Sequence, residues 1–69
     1  MDPFTEKRLL KFVADFRARS GTFPAFKDFE ESGFTKEIVE DAVKGQLLEM
    51  LYVTLTNGSV VKTYRIRKI

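Results

Sequence analysis

Sixty-nine residues with 43% hydrophobic content and seven Phe suit one small core over residues 1–69, because a chain of this size buries only about 60% of its unfolded surface. Neither Cys nor His is present, which excludes disulfides and Cys-based metal sites and removes the commonest metal ligand and general base. The net charge of +2 is unevenly spread: five cations face three anions in residues 1–20, three face seven in 21–50, and Lys62, Arg65, Arg67 and Lys68 face none in 51–69.

Asp2-Pro3 is a helix opening, since Asp caps and Pro suits the first helical position. Leu9, Phe12, Val13 and Phe16 recur at helical spacing opposite Lys7, Arg8, Lys11, Asp15 and Arg19, which predicts a first helix over about 3–19 that ends at Ser20-Gly21. The seven Phe, at positions 4–34, read as core, with little weight on Phe4 because Asp2-Pro3-Phe4-Thr5 also resembles residue left by some expression vectors. Pro24 pushes Phe23 into extended backbone, so Thr22-Phe23 can supply a very short strand. A second helix follows over about 25–32, with Phe26 and Phe29 inward and Lys27, Asp28, Glu30 and Glu31 outward.

Ser32-Gly33-Phe34 reads as a tight turn and Thr35 as the cap of a third helix over about 35–50. Its inward face is Ile38, Val39, Ala42, Val43, Leu47 and Met50, with Gln46 as a polar intrusion that satisfies a strand or helix end. Leu51–Thr56 and Ser59–Ile69 then read as two strands around Asn57-Gly58, the strongest short-range hairpin signal, which predicts a two-residue type I′ turn. That turn pairs Leu55 with Val60, Val53 with Lys62 and Leu51 with Tyr64. It turns Leu51, Val53, Leu55, Val60, Tyr64 and Ile66 to the helices. Tyr52, Thr54, Val61, Thr63, Arg65 and Arg67 then face outward.

This order resembles the winged helix-turn-helix superfamily, an α+β fold of three helices with a C-terminal two-stranded β-hairpin wing and a short third strand near residues 22–23. Ser20-Gly21-Thr22-Phe23-Pro24-Ala25-Phe26-Lys27-Asp28-Phe29 is similar to the Gly-aromatic-Pro segment of LexA-type repressor DNA-binding domains. The acidic third helix is similar to winged helices at the end of archaeal replicative helicases, and small free-standing examples are typical of archaeal viruses and plasmids. The likeness spans nearly the whole chain as an order of elements and about ten residues as a motif. It implies a DNA-binding transcriptional regulator whose third helix enters the major groove while the wing meets backbone or minor groove. Carried onto this chain, the nucleic-acid-binding set is Lys27, Thr35, Lys36, Lys44, Asn57, Ser59, Lys62, Arg65 and Arg67.

Charge complicates that expectation. Glu37, Glu40, Asp41 and Lys44 form one exposed stripe at i, i+3, i+4 and i+7. Three anions oppose the phosphate attraction that supplies most non-specific affinity. The stripe reads rather as a solvated helix face with a Glu40–Lys44 pair worth a few tenths of a kcal/mol. Lys62, Arg65 and Arg67 suit phosphates, or equally an edge strand blocking aggregation. The alternative function is therefore a winged helix that binds protein in a replication or transcription assembly through the acidic surface of helices 2 and 3. Double-stranded DNA is the expected partner, with a homodimer or protein partner in addition.

Glu30-Glu31 and Glu40-Asp41 have no base, nucleophile or ligand geometry around them, so the chain reads as a non-enzyme without catalytic residues, cofactor, metal or small-molecule substrate. No apolar run approaches a membrane span of about 18 residues, and a reducing cytoplasmic setting is expected. One Asn, one Gln and no Cys lean towards a thermophile.

Overall fold

The computed structural model describes residues 1–67 as three helices and a two-stranded antiparallel hairpin. The elements are α1 (Pro3–Ser20), α2 (Phe26–Glu31), α3 (Lys36–Lys44), β1 (Leu48–Thr54) and β2 (Val60–Ile66). This is the expected α+β class. No helix among the described residues is long and apolar enough to cross a membrane.

α1 starts where the sequence places it. The Asp2 carboxylate accepts from the Thr5 N–H at 2.6 Å, Pro3 takes the first turn, and Gly21 closes the helix. Leu9 and Val13 are buried, whereas Phe4 is 71% exposed. The Arg side chains of α1 lie over aromatic rings, Arg8 on Phe34 at 5.3 Å and Arg17 on Phe23 at 4.9 Å. Each guanidinium therefore rests on an aromatic face in cation–π geometry.

α2 opens one residue later than Pro24 suggests. Ala25 is its cap, and the Asp28 carboxylate accepts from the Ala25 N–H at 2.8 Å. It ends in a Schellman motif: Phe34 N–H donates to Phe29 C=O and Gly33 N–H to Glu30 C=O. Gly33 sits at φ 91°, in the left-handed region that glycine enters without cost to a Cβ. The motif brings Phe34 against Phe29, with ring centroids 6.2 Å apart. Phe29, fully buried, also meets Phe12 at 5.1 Å and Tyr64 at 5.5 Å, both edge-on. This aromatic group joins all three layers of the core.

α3 ends at Lys44, not near residue 50 as its apolar spacing suggests. A second Schellman motif stops it: Leu47 N–H donates to Ala42 C=O and Gln46 N–H to Val43 C=O. Here the left-handed position holds Gln46, at φ 62°, while Gly45 stands one residue early at φ −80°. Gln46 is therefore no polar intrusion on a helix face but the exposed residue that breaks the helix. Leu47 and Leu48 pass directly into β1, and Leu48 rather than Met50 fills the core.

The hairpin register is shifted by one residue from the expected pairing. Thr54 faces Val60, Tyr52 faces Lys62, Met50 faces Tyr64 and Leu48 faces Ile66. The cause lies in the turn. Gly58 N–H donates to Leu55 C=O and Leu55 N–H to Ser59 C=O, which makes a three-residue Thr56-Asn57-Gly58 loop. A type I′ turn needs positive φ at both central residues. Gly58 has it at 88°, but Asn57 does not, and its side chain instead accepts from the Ser59 N–H at 2.9 Å.

A one-residue slip exchanges the faces of one strand. Leu51 and Val53 consequently share a face with Thr63 and Arg65, and Thr63, expected outside, is only 7% exposed. Leu55 and Val60, expected in the core, are exposed. The anticipated third strand is a single bridge, Ala25 to Thr63, with Tyr64 N–H donating to Pro24 C=O at 2.9 Å. It lies just after residues 22–23.

Candidate nucleic-acid interface

The short α3–β1 connection lays α3 over one face of the hairpin and leaves an open groove of about 430 Å³ between them. Val39, Val43, Met50, Phe26 and Tyr64 make its apolar floor, and Lys36, Lys44, Lys62 and Glu40 stand along it. Helical spacing puts Lys36 and Glu40 one turn apart, with Lys36 Nζ 3.8 Å from Glu40 Oε1. The expected Glu40–Lys44 pair is thus replaced by Lys36–Glu40. Lys44 and Lys62 make no ion pair among the described residues. Each reaches the groove from a different element, α3 for one and β2 for the other.

The remaining candidates lie elsewhere or are engaged in the fold. Arg65 is on the face of β2 opposite to Lys62, because neighbouring strand residues point to opposite sides. Its Nη2 donates to Glu49 Oε1 at 3.1 Å. Arg67 is exposed just beyond β2, where its N–H donates to Leu47 C=O at 3.0 Å. Lys27 projects from α2, 4.0 Å from Glu31. The Thr35 hydroxyl caps α3 by accepting from the Ile38 N–H, and Asn57 and Ser59 bond each other at the hairpin tip. Lys68 lies outside the described residues.

The hairpin cations therefore do not form one row. Lys36, Lys44 and Lys62 converge, while Arg65 and Arg67 sit apart from them. Sequence reasoning identified each lysine but missed the apolar floor beneath them, since Met50, which is exposed, was assigned to the core. The usable signal was the register: one slip moves Met50 opposite Tyr64 at the groove. Glu37 and Asp41 are exposed and make no ion pair among the described residues.

No group of three or more acidic residues able to hold a metal ion occurs among the described residues. The site's chemistry is that of three ammonium groups and one carboxylate above an apolar floor. No protein-family model, curated protein or solved structure was found to match this chain.

Proposed function

We propose that this chain is a small winged-helix DNA-binding protein that regulates transcription, holding duplex DNA between α3 and the hairpin. The observation that carries the reading is the convergence of Lys36, Lys44 and Lys62 on one open groove. In this reading Lys44 and Lys62 contact phosphates directly, and Lys36 does so on exchanging Glu40 for a phosphate oxygen. Contacts of this kind position a duplex and carry no sequence information. Base reading falls to the exposed α3 residues, where Glu37 and Asp41 can accept from cytosine N4.

Fluorescence anisotropy with mixed-sequence duplexes at low and high salt tests the proposal. With two or three phosphates neutralised, log affinity falls against log salt with a slope of about −2 to −3. Lys44→Ala and Lys62→Ala each reduce that slope by about one. Absence of salt-sensitive binding at tens of micromolar protein overturns it.

A second reading, a winged helix that docks on protein through α2 and α3, is favoured by Glu37 and Asp41, two exposed carboxylates without ion-pair partners among the described residues. Charge reversal at Glu37 and Asp41 separates the two. Loss of biological activity with DNA affinity undiminished supports protein docking, whereas loss of sequence preference supports base reading.

A further inference from the structure

The two edges of the hairpin are finished differently. The outer edge of β2 is engaged: Tyr64 N–H donates to Pro24 C=O, Ala25 bridges Thr63, and Lys62 stands beside them. The outer edge of β1 has no strand partner among the described residues. Antiparallel ladders alternate, so the bonds from Leu55 to Ser59 and from Arg67 to Leu47 assign the odd-numbered residues of β1 to β2. Leu48, Met50, Tyr52 and Thr54 consequently aim their N–H and C=O groups away from it. Met50, Tyr52 and Thr54 are exposed there, Tyr52 at 67%.

Proteins usually blunt such an edge with Lys, Pro, a bulge or a covering loop. Leu48–Thr54 contains no Lys, Arg, Pro or Gly, and its one charge, Glu49, is held by Arg65 on the same hairpin.

We propose that β1 pairs antiparallel with the β1 of a second copy, about a two-fold axis through Leu51. In that register Met50 and Tyr52 exchange backbone bonds with the partner's Tyr52 and Met50, and thioether meets aromatic ring on the groove face. Glu49 falls opposite the partner's Val53, so no like charges meet. A second copy fits this strand because the segment is neutral once Glu49 is paired and is complementary to itself in reverse. The product is a four-stranded sheet with order β2-β1-β1-β2. Since Met50 and Lys62 share one face, both lysine grooves open on the same side of that sheet, as a protein reading a two-fold symmetric site requires.

The pairing does not depend on the groove binding DNA, and sedimentation equilibrium without nucleic acid tests it alone. The expected mass is twice the 8.0 kDa of one chain at hundreds of micromolar. Tyr52→Lys places two ammonium groups diagonally across the new ladder and weakens association by about tenfold or more. Thr54→Lys, at an exposed strand end, is the second variant should Tyr52→Lys fail to fold. In hydrogen exchange, the Met50, Tyr52 and Thr54 amides become protected as concentration rises. A chain that stays monomeric up to about 1 mM overturns self-pairing, since so weak an association is not specific, and leaves the edge to a foreign strand. A dimer that neither variant weakens, with those amides unprotected, overturns it as well.

Discussion

Arg65 and Glu49 are cross-strand partners in the β1–β2 register, and their side chains meet at 3.1 Å on the face of the hairpin turned away from the lysine groove. Both are more than a third exposed, so the pair contributes only about 0.2–1 kcal/mol. Arg65→Ala should therefore lower stability within that range and leave DNA affinity nearly unchanged, while Lys62→Ala does the reverse. Urea denaturation and anisotropy on the two variants separate the effects. An Arg65→Ala loss of affinity equal to that of Lys62→Ala contradicts the assignment of faces.

Gln46 is the only non-glycine residue at positive φ among the described residues. An L side chain in that conformation costs about 1–2 kcal/mol. Gln46→Gly should therefore stabilise the protein by about 1 kcal/mol, seen as a higher urea midpoint with unchanged m-value. Gln46→Val should destabilise it, because a β-branched side chain tolerates this region worst.

Phe29 joins α2 to α1, to the α2–α3 turn and to the hairpin through its contacts with Phe12, Phe34 and Tyr64. Phe29→Ala removes a fully buried ring and should cost about 3–5 kcal/mol. That is much of the total of about 5–15 kcal/mol that natural domains possess. Loss of cooperative thermal unfolding, or a denaturant midpoint near zero, is the expected result. Phe12→Ala, at a half-buried site, should cost less.

The Thr5 hydroxyl and N–H hold the Asp2 carboxyl below its ordinary value of 3.8. A carboxyl whose folded value is lowered stabilises above its unfolded value, and the contribution is lost as pH falls through the folded one. The first turn of α1 should therefore fray on acidification below about pH 3.8, visible in the Thr5 amide shift. Asp2→Asn keeps a competent cap and should abolish this pH dependence, whereas Asp2→Ala frays at every pH.

Local chemistry made the first half of the chain legible. Asp2, Pro3 and Gly21 bracket α1, and Gly33 marks the end of α2, because each occupies a conformation its residue type prefers. The second half was misread at two residues that do not advertise themselves. Gln46 ends α3 in a conformation normally left to glycine, so the apolar run through Leu47, Leu48 and Met50 still fitted a helix. Asn57-Gly58 suggested a two-residue turn, but the Asn57 side chain bonds Ser59 and supports a three-residue one. That single extra residue moved Leu51 and Val53 to the face of Thr63 and Arg65. The groove was illegible for another reason: its lysines come from separate elements, and only tertiary packing brings them together.

Leu47 ties two elements with the backbone of one residue. Its N–H is bonded to the end of α3 at Ala42, and its C=O accepts from Arg67 beyond β2. α3 and the hairpin are thus clamped together at the root, like the jaws of a calliper set to one opening. Lys44 and Lys62 sit on opposite jaws, so the gap between them is built in before any ligand arrives. Under the proposed function, a flexible anionic chain adjusts to that gap, whereas a stiff duplex must already match it.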